Sequence, residues 1–397
     1  MNFKHDVVVV GGCGHVGLPL AIVLASKSLQ VCAFDLNRVA VAAVNSGVMP
    51  FDEPGVSDLL KQVLISKKFS ASGDEKVISS AEHVIFVIGT PVDEYFNPDP
   101  NVVPNVVKGL LNVLVDGQHL VLRSTVYPGV TKLIEQIISR SGKRVDVSFC
   151  PERTAEGKAL SELTSLPQII SARNDTALNR AKSLFGKLND NMIAVSPEEA
   201  ELAKLFTNTW RYIKFATANQ LYTIANDFGV DFERVRNAIT KDYPRAADMP
   251  GAGFAAGPCL FKDTMQLAAF SNNNFTLGHS SMIVNEGLPL YLVSRIERNY
   301  DLSKMAIGIL GMAFKAESDD IRSSLSYKLK RILKFKANSV LCADSLVHND
   351  DSLVSEADLL EHSDLIVIGA PHDRYSEMSI KKPVIDIWNI RKQGVLI

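Results

Sequence analysis

The chain has 397 residues, 46% of them hydrophobic and 22% charged, an ordinary soluble composition in a length that suggests two or three domains. A formal net charge of -2 gives no electrostatic basis for holding nucleic acid or an anionic membrane. The N-terminal apolar run Val7–Val10 is too short for a signal peptide or a membrane span.

Asp6-Val-Val-Val-Val10 is a continuous apolar run, the pattern of a strand buried on both faces. Gly12-Cys-Gly14-His-Val-Gly17 follows at once, and Leu18–Ser26 reads as a helix. A GxGxxG turn between strand and helix offers backbone N–H groups and a helix N-terminus to a pyrophosphate. The second apolar run, Val31–Phe34, ends in Asp35, about 18 residues past Gly17. An acid there hydrogen-bonds a ribose 2′-hydroxyl and repels a 2′-phosphate, so NAD is expected over NADP. Further strands are predicted at Val84–Ile88, Leu120–Leu122 and Val145–Phe149. They end in Gly89-Thr90-Pro91, Ser124-Thr125-Val-Tyr-Pro-Gly129 and Cys150-Pro-Glu152-Arg153. Ligands of open α/β sheets bind at the carboxyl ends of strands, so these loops are expected around the cofactor.

Ser196-Pro-Glu-Glu199 is a helix start: a capping hydroxyl, proline at the first position and acids in the first turn. No Gly or Pro interrupts the run from there to about Phe228. A helix of roughly thirty residues is long for a globular domain, a spine between domains and a candidate dimer interface. Lys204 and Asn208, four apart, share a face, although such pairs are more often simply solvated. Shorter helices are predicted around Asp231–Thr240 and Ser280–Tyr300. Strands resume at Met305–Leu310, Ser339–Ala343 (followed by Asp344), Leu365–Gly369 and Val384–Asp386. The expected fold is therefore α/β, two Rossmann-like doubly wound domains joined by a long central helix and a small helical domain. The expected boundaries are 1–195, 196–302 and 303–397.

Between the two shorter helices runs Gly253-Phe-Ala-Ala-Gly-Pro-Cys259-Leu-Phe-Lys262-Asp263. Small residues let a backbone pass close to a ligand. A cation near a thiol lowers its pKa and populates the nucleophilic thiolate. Of the five cysteines, Cys13, Cys32, Cys150 and Cys342 lie in or beside strand-like runs, and Cys259 alone lies in a Gly/Ala/Pro loop. Their irregular spacing forms neither a disulfide framework nor a zinc pattern, no metal ligands are read, and a reduced, cytoplasmic protein is expected. The competing reading of Cys259 is a buried structural thiol leading into a helix.

Taken in order, these motifs resemble the UDP-glucose/GDP-mannose dehydrogenase family, nearer its UDP-N-acetylhexosamine branch. The resemblance runs through Gly12 to Pro19, Gly89-Thr-Pro91, Ser124 to Gly129, Pro151-Glu-Arg153, Glu201-Leu-Ala-Lys204-Leu-Phe-Thr-Asn208 and Cys259 to Asp263. It continues through Ala313-Phe-Lys315 and Asp319-Asp-Ile-Arg322-Ser323. It implies an NAD-binding domain, a central helical domain and a C-terminal nucleotide-sugar domain. It also implies a four-electron oxidation at sugar C6 through a thiohemiacetal and a thioester on Cys259. Lys204 and Asn208 would then stabilise the oxyanion, Asp263 would assist proton transfer, and Thr125 and Glu152 would position or activate water. Gly12, Gly14, Val16, Gly17, Asp35, Thr90 and Thr125 would hold NAD, with Glu156 and Lys262 near the nicotinamide and Arg322 on the cofactor. Glu152, Lys204, Asn208 and Lys315 would contact the sugar nucleotide.

Arg153, Arg211 and Arg245 resemble positions in enzymes acting on UDP-N-acetylglucosamine or UDP-N-acetylmannosamine, and an arginine fork suits an acetamido carbonyl or a phosphate. Glu156-Gly157 and Lys262-Asp263 look instead like the UDP-glucose branch. The chain departs from the family pattern at Ala255-Ala256, where paired glycines are usual, at Ala40, and at Gln220. A homodimer through the central helix is expected. The alternatives of another class are a two-electron β-hydroxyacid-type dehydrogenase and a non-catalytic nucleotide-sugar sensor.

Overall fold

The apolar run opens as β1, His5–Val10, in the computed structural model, which describes residues 3–90, 92–93 and 98–397. Alternate residues of the run enter different cores. Val7 and Val9 pack with Leu20, Leu24, Val31 and Ile85, whereas Val8 and Val10 pack with Cys32, Phe34, Val84 and Phe86. A strand covered on both faces needs apolar residues at every position, which is why it reads as a run rather than an alternation.

The other strands of the first sheet are β2 (Val31–Phe34), β3 (Phe69–Ser72), β4 (Ala81–Phe86), β5 (His119–Leu122), β6 (Asp146–Phe149), β7 (Gln168–Ala172) and β8 (Met192–Val195). Their order is β3-β2-β1-β4-β5-β6-β7-β8, parallel throughout except between β6 and β7. The strand order reverses between β1 and β4, which opens a crevice at their carboxyl ends. β3, Phe69-Ser-Ala-Ser72, lies at the sheet edge and alternates, so it lacks the continuous apolar run of β1 and β2.

A 31-residue helix, Pro197–Asp227, follows β8 and starts with Glu198 and Glu199 in its first turn. The chain divides into two compact units, 1–206 and 207–397, so the change of unit falls within this helix. In the second unit, helices Phe232–Thr240, Leu260–Phe270 and Thr276–Asn299 precede a second sheet. Its strands are β9 (Ala306–Leu310), β10 (Ser339–Ala343), β11 (Leu365–Ile368) and β12 (Val384–Ile385), all parallel in the order β10-β9-β11-β12. Here the order reverses between β9 and β11, so the second sheet repeats the winding of β2-β1-β4 on a smaller scale. The α/β doubly wound expectation is met in both units. Among the described residues, no helix is long and apolar enough to cross a membrane.

Candidate active site

The loop after β1 uses its glycines for two purposes. A Cβ on Gly12 would lie 2.6 Å from the Val9 carbonyl oxygen and 2.7 Å from Ala33 Cα, and one on Gly17 would lie 2.3 Å from the Gly11 oxygen. Those two glycines let the turn pack on the sheet. A Cβ on Gly14 would meet only the Gly11 oxygen, at 3.7 Å, among the described residues. Gly14 therefore keeps the loop's outer side open, and a side chain would cover backbone that a pyrophosphate needs. The following helix, Gly17–Ser26, has neither a side-chain cap nor a first-turn acid among the described residues, so its first amides suit an anion. Val16 stands at its N-cap, partly exposed. The half-buried Asp35 accepts from the Cys13 N–H at 3.0 Å through Oδ2 and from the Asn37 N–H at 2.9 Å through Oδ1. Each oxygen retains a lone pair for a ribose hydroxyl. The chain's own residues thus fit a dinucleotide.

The loops after β4, β5 and β6 are tied to each other. The Thr90 hydroxyl donates to the Thr125 carbonyl at 2.7 Å, and Ser124 Oγ accepts from the Ile88 N–H at 2.7 Å. Pro91 lies outside the described residues. Glu152 is saturated. Its Oε2 accepts from Arg123 Nε at 2.9 Å and pairs with Nη2 at 2.6 Å. Its Oε1 accepts from the N–H groups of Arg153 (2.7 Å) and Thr154 (2.8 Å), and from the Thr154 hydroxyl. Arg123 is wholly buried, lies over the Phe185 ring, and also donates to the Cys150 carbonyl at 3.0 Å and to Gln168 Oε1 at 3.1 Å. Burial pushes the Glu152 carboxyl up, but the Arg123 charge and the Thr154 donors together outweigh it and hold the group below the usual carboxylate range. A carboxylate so occupied is a poor proton acceptor, so its geometry suits anchoring this loop rather than activating water. Arg123 was the missed residue, and its one signal was a charge at the end of an apolar run. Glu156 Oε1 lies 2.8 Å from His15 Nδ1, and the His15 ring stacks on Phe51.

In the second unit Cys259 is the N-cap of helix Leu260–Phe270 and is exposed, whereas the other four cysteines are buried. Burial pushes the Cys13 and Cys150 thiols up to about 12 and Cys342 up to about 11, and it raises Cys32 as well. The buried-thiol alternative thus describes the other four. Asp263, one turn into the helix and fully buried, accepts from Asn208 Nδ2 at 2.6 Å, and Lys262 Nζ lies 3.0 Å from its other oxygen. Asn208, Lys262 and Asp263 are thereby brought together. Lys204 precedes Asn208 by one turn on the long helix and is half-buried.

The small residues of the thiol segment face the chain's own aromatic rings. Gly253 has φ +151°, and a Cβ there would lie 2.2 Å from Trp388 Cζ3. Gly257 has φ +97°, and a Cβ there would lie 2.5 Å from the Phe314 ring. Asn219, buried on the long helix, accepts from the Gly253 N–H and donates to its carbonyl, both at 2.9 Å. The backbone before Cys259 is therefore clamped at both glycines. Their smallness serves ring packing. Trp388, Phe314 and Asn219 carried no local signal, because each lies more than thirty residues from the glycine that it meets.

Arg322 forms a fork on Asp320, with Nε 2.9 Å from each carboxylate oxygen. Lys315 Nζ sits 5.5 Å from the Phe314 ring centroid. Arg153 donates to the Pro167 carbonyl, Arg245 Nη1 donates to Tyr243 Oη at 3.2 Å, and Arg211 is exposed on the long helix.

Comparison with known proteins adds an independent finding. The chain matches the NAD binding domain of the UDP-glucose/GDP-mannose dehydrogenase family over residues 6–189, its central domain over 198–286 and its UDP binding domain over 308–393. It is 28% identical over 407 aligned positions to a UDP-N-acetyl-D-mannosamine dehydrogenase of Pyrococcus horikoshii, covering 97% of this chain and 96% of that one. A solved structure of a UDP-D-ManNAc dehydrogenase from Pyrococcus horikoshii superposes with a TM-score of 0.89 at 26% identity, covering 97% of this chain and 95% of that one. A UDP-glucose dehydrogenase from Pyrobaculum islandicum gives the same TM-score of 0.89 at 25% identity, covering 97% and 94%.

Proposed function

The chain belongs to the UDP-glucose/GDP-mannose dehydrogenase family, and from that premise we propose that it oxidises C6 of a UDP-N-acetylhexosamine to the uronic acid. The observation that carries the mechanism is the one exposed thiol among five, seated at a helix N-terminus with Lys262 in the first turn. A helix N-terminus favours thiolate over thiol. The Gly12–Gly17 loop, Asp35, Thr90 and Glu156 would hold NAD, with Arg322 a further cofactor contact implied by the resemblance, and two NAD in succession would supply the acceptors for the two hydrides that C6 gives up, the first from the alcohol to make the aldehyde.

Cys259 Sγ adds to the aldehyde carbon and holds it as a thiohemiacetal. Loss of hydride from that carbon leaves a thioester, and water cleaves it to the acid and restores the thiol. Lys204 and Asn208 stabilise the oxyanion at each tetrahedral stage. Asp263 accepts one Asn208 amide N–H, which turns the side chain and leaves its second donor for that oxygen. Thr125 positions water, and Glu152 anchors the loop beside it. The sugar nucleotide is held by Lys315 with Arg211 and Arg245, and Arg153 carries the same resemblance on the loop after β6.

Support for an acetamido sugar comes from the names of the relatives and from the three arginines. A second reading, UDP-glucose, is favoured by Arg153 and Arg245, whose side chains are engaged with Pro167 and Tyr243 of their own chain. We also infer a homodimer. Phe206, Trp210, Leu221, Ile224 and Phe228 recur at helical spacing along one face and are all exposed, a stripe larger than a solvated helix carries.

The test is a panel of UDP-N-acetylmannosamine, UDP-N-acetylglucosamine and UDP-glucose with NAD, scored for NADH formed per acid. Two NADH per acid and the highest kcat/KM on an acetamido sugar are expected. One NADH per carbonyl product would mean a two-electron dehydrogenase, and binding without turnover would mean a sensor.

A further inference from the structure

Behind the loop that carries Lys315 and Arg322 lies a buried imidazole that the reaction does not use. His372 is 1% exposed and sits after β11, on the carboxyl side of the second sheet. Its Nδ1 accepts from the Glu317 backbone N–H at 2.9 Å. A backbone N–H can only donate, so the ring proton is on Nε2, which lies 3.1 Å from Asp344 Oδ2. The imidazole is thereby a neutral link between a carboxylate at the end of β10 and the middle of the Phe314–Ser323 loop. The Asp373 N–H donates to Glu317 Oε1 at 2.8 Å, a second tie at the same point.

The loop is held in a conformation that it would not take alone. Glu317 has φ +49° and Ser323 φ +54°, both left-handed and neither a glycine. Asp344 Oδ2 also accepts the N–H groups of Met312 (2.7 Å) and Ala313 (3.0 Å), which fixes the start of the loop. The far end touches the thiol segment: Gly257 N–H donates to the Ser323 carbonyl at 3.3 Å, and the Phe314 ring occupies the space above Gly257. Gly257 is two residues before Cys259. A continuous set of contacts therefore runs from His372 through Glu317 and the loop to the backbone that carries the thiol.

We propose that His372 is a positioning residue for the reaction: its Nδ1 lone pair latches the Phe314–Ser323 loop, and through Gly257 that latch sets the Cys259 segment. The proposal takes Lys315 as a contact of the nucleotide sugar from the reading above. The coupling to the thiol is independent of that reading.

Three variants separate the two bonds of the ring. His372→Asn retains an acceptor near the Nδ1 position, His372→Gln retains a donor near Nε2, and His372→Phe retains only the ring. Hydrogen exchange over 314–323 and the rate of Cys259 alkylation by iodoacetamide are measured on each, with KM and kcat for the UDP-sugar. His372→Phe and His372→Gln are expected to change the alkylation rate and to raise KM about tenfold, the scale of one lost buried hydrogen bond. Exchange over 314–323 should rise, and His372→Asn should stay near the parent in all three readouts. Should His372→Phe fail to fold, the Gln and Asn variants carry the same comparison. Unchanged exchange and alkylation in His372→Gln, or equal damage in His372→Asn, would overturn the proposal. If the parent turns over no UDP-sugar, the functional reading fails while exchange and alkylation still decide the latch.

Discussion

Asp35 and Asp344 occupy the same place in two copies of one winding, and they have opposite fates. Each follows the last residue of the second strand of its half-sheet, β2 or β10. Each accepts from the loop after the first strand, Cys13 N–H for one, Met312 and Ala313 N–H for the other. Each also accepts from the residue two positions on, Asn37 or Leu346. The difference is an added side-chain partner. Asp35 is half-buried and keeps lone pairs for a ligand, whereas Asp344 is sealed by His372. The shared geometry closes a turn, and ligand recognition is an addition made only where the carboxylate stays accessible.

The largest expected effect comes from removing the sealed acid. Asp344→Ala strands four backbone or ring donors around a buried site and should cost about 3–5 kcal/mol in urea unfolding of the whole chain. Asp35→Ala should cost far less stability, since Asp35 is half-buried and leaves only two donors, one of them on the exposed Asn37. Equal losses would break the comparison.

Cofactor choice comes next. Asp35→Ala removes a charge-assisted hydrogen bond of about 1.5–3 kcal/mol, so kcat/KM for NAD should fall about tenfold or more and approach that for NADP. A preference left intact would move 2′-hydroxyl recognition away from Asp35.

Acid titration sharpens the same contrast. For Asp344, burial raises the pKa, but the His372 contact and the Ala313 and Leu346 N–H groups outweigh it, so the folded value lies below the ordinary one. Its stabilisation is then full above the unfolded pKa of about 4 and is lost as pH falls through the folded value. Urea midpoints measured from pH 6 downward should show an acid limb that Asp344→Ala flattens.

The smallest effect concerns the glycines of the two loops. Gly14→Ala has room for its Cβ and should shift stability by less than about 1 kcal/mol while raising KM for NAD. Gly311, with φ +91° and a Cβ that would meet the Ala370 nitrogen at 2.6 Å, should tolerate alanine far less well. Thermal melts of the two variants, with NAD titrations of the first, test this.

Much of the molecule was legible because local rules act locally. Continuous apolar runs gave away β1, β2, β9 and β11, and Ser196-Pro-Glu-Glu199 announced the helix Pro197–Asp227. The edge strand β3 and the antiparallel partner β7 were not foreseen, since neither has the run that two-sided burial imposes. At the site, Gly12, Gly17, Asp35 and Cys259 were visible as residue types in the right order. The occupation of Glu152 by Arg123 was not, because the two meet only when β5 and β6 pair.

By itself the sequence determined the elements, the turn that closes on Asp35, and the one cysteine set apart from the strands. Each depends on a few neighbouring residues and on the backbone conformations they permit. Tertiary structure alone decided which acid stays open, because His372 lies 28 residues from Asp344 in the chain. It also decided that Gly253 and Gly257 face Trp388 and Phe314. Burial and hydrogen-bond occupancy are properties of what packs against a group, and those partners come from distant parts of the chain.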